Sequence, residues 1–227
     1  MNTADRESVI EASAGPAKNR KFLKILVVVC AIIAAGVLVW EGFLEDRLVA
    51  KRWGVVEPGK IYRSGQVSSY LIEPMLRENK IEKVIALNGS DLNKPYLKTE
   101  VETARKLKID HQVLYLIGDG TGDVEDYAEA VAEIMRCEKA GKPVLVHCAA
   151  GAQRTGGVVA AYRMLVQKKT PEEAYQELLQ YDWKPRKDQA LIDYLNQNLA
   201  TLSKLLEQKI DWYEPPATIP VIGDPGP

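Results

Sequence analysis

The sequence has 227 residues, which is room for one catalytic domain of ordinary size with appendages. A formal net charge of −1 at pH 7 gives no overall field that would favour nucleic acid as a partner. The three cysteines, Cys30, Cys137 and Cys148, form neither a disulfide framework nor a zinc-site pattern.

The N-terminal region divides into two parts. Residues 1–21 are polar and rich in Ala, Gly, Pro and Ser, which predicts a disordered cytoplasmic N-terminus. From Ile25 to Trp40 there is no charged residue, and the apolar stretch extends over residues 22–44 if Lys24 and Glu41 reach outward at its edges. This length is sufficient to cross a bilayer as one helix. We therefore expect residues 22–44 to be a transmembrane signal anchor.

The charges on either side of this stretch predict its orientation. Four basic residues, Lys18, Arg20, Lys21 and Lys24, lie at its N-terminal side, whereas Glu41, Glu45 and Asp46 follow it. The positive-inside rule then places the remaining chain in the periplasm or outside the cell, as a single-pass membrane protein. A cleaved signal peptide is the alternative, but the segment is long for one and no small-x-small cleavage site follows before Trp53.

Downstream of the anchor, residues 45–56 are either a linker or a first irregular strand ahead of a Pro-Gly turn at residues 58–59. Strand-like runs at residues 60–63, 83–87, 112–117 and 144–146 then alternate with helix-like runs at residues 68–79, 99–107 and 124–137. Three more helical stretches follow at residues 155–167, 171–181 and 187–208. The alternation predicts an α/β domain over residues 45–209, with helices flanking a central, mostly parallel sheet of four to five strands.

The remaining residues, 210–227, are rich in proline. We expect them to form an extended, disordered tail.

The most informative segment runs from Val146 to Gly156 and reads VHCAAGAQRTG. It lies between a short apolar strand and an apolar helix, and its small residues allow the backbone to aim several N–H groups at one point. Such a nest at a helix N-terminus is an anion site. Arg154 adds a planar guanidinium suited to two phosphate oxygens, and this positive field should lower the pKa of Cys148. A thiolate beneath a phosphate-sized anion site indicates a cysteine-dependent phosphatase.

The motif His-Cys-x-x-Gly-x-x-Arg-Thr resembles the phosphate loop of the protein tyrosine phosphatase superfamily, in particular its compact bacterial and atypical dual-specificity branch. The matching residues are His147, Cys148, Gly151, Arg154 and Thr155. The segments Ile61–Gln66 and Lys83–Asn88 resemble the opening strands of these phosphatases, so the resemblance covers about residues 54–200.

The chemistry expected of this loop has two steps. Cys148 attacks phosphorus to give a phosphocysteine, and water then releases inorganic phosphate. Arg154 and the loop residues Ala149, Ala150, Gly151, Ala152 and Gln153 bind the phosphoryl oxygens, so we expect no metal and no other cofactor. Thr155 can donate a hydrogen bond to the sulfur and help it leave in the second step. In the family that the motif resembles, the histidine before the cysteine has a supporting structural role, which we expect for His147.

The leaving oxygen needs a general acid, which the resemblance places on a loop after an earlier strand. Asp119 follows such a strand and precedes a pliable run of Gly120, Thr121 and Gly122, so it is the first candidate. Asp123 is the second candidate, although its position suits a helix N-cap. Asp126 falls within the helix and is expected to be solvated. The absence of any dedicated acid is the third alternative.

The variable loop positions, Ala149, Ala150, Ala152 and Gln153, carry no charge. They therefore favour a phosphorylated tyrosine, serine or threonine side chain, or a small monoester, over a multiply phosphorylated ring. Charge from outside the loop remains open at Arg63, Arg163, Lys184, Arg186 and Lys187, and Asn88 either borders the pocket or belongs to a turn.

Three other functions remain open. They are a membrane-tethered phosphate-binding module without turnover, an inositol phosphate or other small-molecule phosphatase, and a sulfur-transfer domain of the rhodanese type. The partners expected are accordingly a phosphorylated protein or a small phosphomonoester, and the membrane through one helix. Cys137 is either a buried bystander, which we favour, or the partner of Cys148 in a protective disulfide.

Overall fold

The structure, a computed structural model, describes residues 17–40, 49–89 and 94–223. Its contacts divide the chain into two units, residues 1–45 and 46–227. Of the segment predicted to be disordered, residues 1–21, residues 1–16 lie outside the described residues, whereas residues 17–21 are helical and not disordered. The end of the anchor with the acidic residues that follow it, and the last four residues of the tail, also lie outside the described residues.

The first unit contains helix α1, Ala17–Val39. Within it, residues 22–39 have a mean hydropathy of 2.9, and none of this stretch is buried within the protein. By length and composition the helix can span a membrane, because about 20 apolar residues cover the hydrocarbon thickness of a bilayer.

The second unit is built on a five-stranded sheet. Its strands are β1 (Gly54–Glu57), β2 (Ile61–Ser64), β3 (Lys83–Ala86), β4 (Asp110–Val113) and β5 (Val144–His147). They lie in the order β1-β2-β5-β3-β4; β1 is antiparallel to β2, and all other pairs are parallel. The predicted α/β class and the mostly parallel sheet are confirmed.

Among the described residues of this unit, six helices pack around the sheet. They are α2 (Ile72–Glu78), α3 (Pro95–Leu107), α4 (Val124–Ala140), α5 (Gln153–Leu165), α6 (Pro171–Gln180) and α7 (Gln189–Lys209). Helix α6 begins with a capping box, in which Thr170 and Glu173 exchange hydrogen bonds between side chain and backbone.

The central strand β5 contributes side chains to the cores on both faces of the sheet, because successive strand residues point to opposite sides. Val144 and Val146 belong to the larger apolar core with α4, α5 and α7. Leu145 belongs to the smaller core beneath α2. In the parallel register, His147 at the end of β5 pairs with Ser64 on one side and Ala86 on the other. The segments that follow these three strands therefore begin at the same edge of the sheet.

Several boundaries differ from the sequence prediction: the helix predicted at residues 68–79 begins at Ile72, and the one predicted at residues 99–107 begins at Pro95. Two further differences concern the edge strands of the sheet. Within residues 45–56, the alternative of a first strand is what the structure contains, as β1. The strand predicted at residues 112–117 begins earlier, at Asp110, and ends at Val113. Beyond it, Tyr115 and Leu116 form only isolated bridges, to Asn88 and Gly122. The apolar run from Leu114 to Ile117 thus leaves the sheet and enters the next loop.

The proline-rich tail also differs from its expectation over residues 210–223. This segment is irregular, with a turn at residues 211–212, and Ile210, Tyr213 and Ile222 are buried in the larger core. The side-chain amide of Asn196 on α7 donates to the Ile222 carbonyl (2.7 Å) and accepts from the Ile222 N–H (2.8 Å). Apolar burial and these hydrogen bonds hold a segment that composition alone predicts to be disordered.

Candidate active site

The phosphate loop, residues 148–153, connects the end of β5 to the first turn of α5. Cys148 is only 1% exposed, and its sulfur accepts a hydrogen bond from the backbone N–H of Gly151 at 3.1 Å. Gly151 has φ +80°, and a Cβ at this position would overlap the backbone nitrogen of Gly65. Glycine is therefore required at residue 151 by both conformation and space.

Three consecutive backbone carbonyls of this loop accept hydrogen bonds from residues outside the loop. The Ala149 carbonyl accepts from the N–H of Gln66 (3.1 Å), the Ala150 carbonyl from Nη1 of Arg52 (2.7 Å), and the Gly151 carbonyl from Nη2 of Arg63 (3.0 Å). In a trans peptide unit the N–H points away from the carbonyl. The N–H groups of Ala150, Gly151 and Ala152 consequently point away from these donors, as the anion nest predicted from the sequence requires.

The surroundings of Cys148 favour its thiolate. Burial by itself raises the pKa of the thiol, but the hydroxyl and backbone N–H of Thr155, the charge of Arg154 and the Gly151 N–H together lower it below its ordinary value. Thr155 is fully buried in the first turn of α5, and its hydroxyl also lies 3.4 Å from the Ser64 carbonyl. The single hydroxyl proton can serve either acceptor.

Arg154 is half-buried in the first turn of α5. Its Nε atom is buried and has no hydrogen-bond partner among the described residues. An unpaired guanidinium nitrogen is costly unless a ligand satisfies it, because a buried donor has lost its water. Beside a nest of inward N–H groups, it indicates a site for an oxyanion such as phosphate.

Behind the loop lies a buried polar cluster centred on Glu100 of α3, which is 1% exposed. Its Oε1 atom lies 3.0 Å from Nε2 of His147 and 2.8 Å from Nε2 of His111. Its Oε2 atom accepts from the side chain of Gln66 at 2.6 Å, and Gln66 in turn accepts from Asn88 at 3.3 Å. The cluster connects β4, through His111, with the ends of the three strands β2, β3 and β5 at the edge where the phosphate loop begins.

The charges in this cluster stabilise one another. Burial raises the pKa of the Glu100 carboxyl, but His147 and His111 hold it well below its ordinary value. Burial lowers the pKa of the His147 imidazole, whereas Glu100 raises it above its ordinary value overall. The supporting role proposed for His147 thus has a physical basis. Glu100 could not be predicted from the sequence, because a glutamate within a helix carries no sequence signal that distinguishes burial from exposure.

The predicted acid, Asp119, lies on an exposed loop between β4 and α4. Its Oδ1 atom accepts from the backbone N–H (3.0 Å) and hydroxyl (2.8 Å) of Thr121, and these hydrogen bonds lower the pKa of the carboxyl. The next residue, Gly120, packs on the phosphate loop: a Cβ there would lie 3.3 Å from the backbone of Gln153. Asp119 is therefore a neighbour of the phosphate loop, and its acid role stays a prediction.

The second candidate, Asp123, is the N-cap of α4, since its carboxylate accepts from the N–H of Glu125 at 2.9 Å. This is the helix-capping explanation that the sequence offered for it. Asp126, expected to be solvated, accepts from the backbone N–H of Tyr115 at 3.3 Å.

The basic residues considered outside the loop have different surroundings. Arg63 is completely buried in β2, where it binds the phosphate loop and lies over the ring of Tyr181. Arg163 is bound to Glu177 (2.7 Å) and to Glu57 (3.3 Å). Lys184 pairs with Asp182, and Arg186 and Lys187 are exposed in the turn before α7.

Cys137 lies far from Cys148. Its carbonyl accepts from the N–H of Lys142, just before β5 begins, whereas Cys148 follows the last residue of that strand. Six residues of extended chain span roughly 20 Å at about 3.3 Å each, and a disulfide needs Cα atoms within about 7 Å. Burial and the carboxylate of Glu133 also raise the pKa of Cys137 to about 11. Cys137 is a buried bystander, as favoured from the sequence.

Comparison with known proteins also relates the chain to phosphatases. A family profile described as "Dual specificity phosphatase, catalytic domain" matches residues 62–208. "Dual specificity protein phosphatase OPG106" of Vaccinia virus (strain Copenhagen) is 39% identical over 61 residues, which are 26% of this chain and 36% of that protein. The chain thus matches only about a third of the length of this curated relative.

Solved structures share the fold at low sequence identity. TpbA of P. aeruginosa superposes with a TM-score of 0.55 at 19% identity, covering 69% of this chain and 91% of that one. The catalytic core of SIW14 from S. cerevisiae superposes with a TM-score of 0.54 at 16% identity, covering 72% and 96%. Because the family profile spans well over half of the residues and includes the whole phosphate loop, the chain belongs to the dual specificity phosphatase family.

Proposed function

We propose that this protein is a membrane-anchored, cysteine-dependent phosphatase that hydrolyses phosphate monoesters, most readily phosphotyrosine, phosphoserine or phosphothreonine side chains of proteins. The observation that carries the proposal is the contact at 3.1 Å between the Cys148 sulfur and the Gly151 N–H. This contact supports a buried thiolate at the base of a nest of backbone donors, next to an arginine with an unpaired nitrogen.

In the first step the Cys148 thiolate attacks phosphorus, an S–P bond forms, and the bond from phosphorus to the leaving oxygen breaks. The equatorial oxygens meet the loop N–H groups and the Arg154 guanidinium, which are already oriented before substrate binds. Such preorganised donors are commonly the largest contribution to catalysis of this kind.

The leaving oxygen takes its proton from Asp119. The hairpin that carries Asp119 abuts the phosphate loop through Gly120 and Gln153. In the structure the carboxylate turns towards Thr121, with which it makes two hydrogen bonds. Asp119 must leave Thr121 and bind a proton to act, and losing these two hydrogen bonds raises the pKa of its carboxyl towards the ordinary value.

In the second step water attacks the phosphocysteine, the S–P bond breaks, and inorganic phosphate leaves. Thr155 donates to the departing sulfur, which is stabilised as a thiolate by the same contacts that lower the pKa of Cys148. The mechanism assigns no step to a metal or other cofactor.

The substrate class rests on the variable loop positions. Ala149 and Ala150 are exposed, so they border the mouth of the site without supplying charge. Among proteins of the same fold, PTPMT1 has been crystallised with PI(5)P and TpbA with phosphotyrosine, so the fold does not choose between lipid and protein substrates. An uncharged rim favours a singly phosphorylated side chain.

The anchor and its orientation belong to the same proposal. The helical stretch at residues 22–39 has the length and hydropathy of a membrane span. The basic residues before it favour an extracytoplasmic catalytic domain.

The full chain in detergent micelles provides the test. Phosphate release is measured from p-nitrophenyl phosphate, from phosphotyrosine and phosphoserine peptides, and from inositol phosphates and PI(5)P. We expect turnover of the first three, inhibition by vanadate, no effect of chelators, and no turnover by Cys148→Ser. Vanadate binding without any turnover would instead favour the phosphate-binding module, and metal-dependent turnover by Cys148→Ser would overturn the mechanism.

A further inference from the structure

Arg52 lies in the segment that leads from the predicted anchor into β1, ten residues before the part of the chain that the family profile matches. Its Nη1 atom nevertheless donates to the Ala150 carbonyl at 2.7 Å, in the middle of the phosphate loop. Its Nε atom donates to Asp182, beyond α6, at 3.1 Å. The guanidinium therefore connects two distant parts of the chain at the back of the loop.

The peptide unit that Arg52 holds is the one that contacts the nucleophile. The carbonyl of Ala150 and the N–H of Gly151 belong to the same planar group, so fixing one fixes the direction of the other. Arg52 binds the carbonyl, and the N–H donates to the Cys148 sulfur at 3.1 Å. A cation on the carbonyl also polarises the peptide unit, which makes its N–H a stronger donor.

The backbone at both ends of this contact is held in a tight local turn. Arg52 has φ +48° and Asp182 has φ +64°, which are left-handed conformations that residues other than glycine seldom adopt. The two side chains form an ion pair and are 26% and 53% exposed. Arg52 lies in a turn that the Trp53 N–H closes on the Ala50 carbonyl, and Asp182 lies in the turn that ends α6, where the Trp183 N–H donates to the Leu178 carbonyl. An exposed ion pair of this kind contributes little to stability, so its effect is to orient the guanidinium.

We infer that Arg52 is a positioning residue of the phosphate loop: by holding the Ala150 carbonyl it aims the Gly151 N–H at the Cys148 sulfur, and Asp182 keeps its guanidinium in place. The inference rests on the proposed function for its effect on turnover. The effect on the cysteine itself is independent of turnover.

The experiment is therefore alkylation of Cys148 in the full chain, followed by mass spectrometry of its peptide between pH 4 and 10. In Arg52→Gln we expect the midpoint of the alkylation profile to move up by about 0.3–1 pH unit, and kcat to fall about two- to tenfold, the range of one hydrogen bond. Arg52→Lys retains one donor and should recover part of both effects, and Asp182→Asn should give a smaller shift.

Two controls make the result specific. Lys51→Gln removes the neighbouring exposed charge, and alkylation of Cys137 in the same samples reports any general loosening of the fold. An Arg52→Gln profile that coincides with that of Lys51→Gln would overturn the inference. So would a lower melting temperature with parallel changes at Cys137 and no separate shift at Cys148. If Arg52→Gln shifts the alkylation midpoint of Cys148 relative to the wild type, but the wild type turns over no substrate, the proposed function is refuted and this inference stands.

Discussion

The Nε2 atom of His147 lies 3.0 Å from the Oε1 atom of Glu100, and both side chains are almost completely buried. The residue before the nucleophile is thus fixed by a charge that comes from a helix 47 residues earlier in the chain. His111 binds the same oxygen at 2.8 Å, so one carboxylate orients two imidazoles.

Glu100→Gln should destabilise the domain in a pH-dependent way. Because the pKa of His147 is raised in the folded state, its protonation stabilises the fold fully below pH 6.5, the ordinary pKa of histidine. This stabilisation is lost as the pH rises through the raised pKa. The lowered pKa of Glu100 contributes stability above its ordinary value of 4.5. The loss should therefore be largest between about pH 4.5 and 6.5, about 1.5–3 kcal/mol, and smaller at pH 9.

Urea unfolding of the full chain in micelles at pH 5.5 and pH 9 measures this difference. Glu102→Gln is the matched control, since Glu102 is on the same helix, is 59% exposed and pairs only weakly with Lys98 at 3.9 Å. Equal effects of the two substitutions, or an effect independent of pH, would contradict the buried charge pair.

Arg154→Lys should lose about 10²- to 10³-fold in kcat although the charge is retained, because one ammonium cannot replace two planar N–H donors. Steady-state kinetics with p-nitrophenyl phosphate and inhibition by inorganic phosphate measure the change. Arg163→Lys is a suitable comparison, since Arg163 is occupied by Glu177 and Glu57. Near-normal rates in Arg154→Lys would mean that Arg154 does not contact the transferring phosphoryl group.

Asp119→Asn and Asp123→Asn should separate catalysis from capping. We expect Asp119→Asn to reduce kcat on phosphopeptides by about 10²- to 10⁴-fold, to flatten the alkaline limb of the pH profile, and to affect p-nitrophenyl phosphate less, because that leaving group needs no proton. Asp123→Asn should leave kcat unchanged and alter stability by at most about 1 kcal/mol, as expected for one good N-cap replaced by another. The opposite pattern would exchange the two assignments.

The orientation of the protein can be tested with reporters fused after the last residue, Pro227. A fusion point after residue 210 is unsuitable, because Tyr213 and Ile222 pack into the core. We expect activity from a reporter that works only in the periplasm and none from one that works only in the cytoplasm. The reverse result would overturn the proposed topology without affecting the catalytic assignment.

The phosphate loop could be predicted from the sequence because its geometry is local. Cys148, Gly151 and Arg154 lie within seven residues, and the strand before and helix after them fix the turn. The positions of Arg52, Arg63 and Glu100 depend on contacts between elements that are far apart in the chain. Charged residues are exposed by default, so their roles behind the loop follow only from the tertiary structure.

The strand β4 shows a second limit of sequence prediction. The apolar run after Val113 resembles a continued strand, yet the pairing with β3 ends there. Leu116 is buried while Tyr115 and Ile117 are exposed, so the alternation of a strand persists in what is a loop. The neighbouring strand β3 decides which backbone groups of this run form hydrogen bonds. The sequence does not indicate that β3 ends at Ala86.

The segment after α7 illustrates how a composition typical of disorder can become part of a folded core. Pro215, Pro216 and Pro220 have little backbone freedom in the unfolded chain, so docking them sacrifices less conformational entropy than docking other residues. The free energy gained by burying Tyr213 and Ile222 then has a smaller loss of conformational entropy to offset. Replacing these prolines by alanine would leave the contacts of Tyr213 and Ile222 possible and still loosen the segment, because part of the loss would arise in the unfolded state.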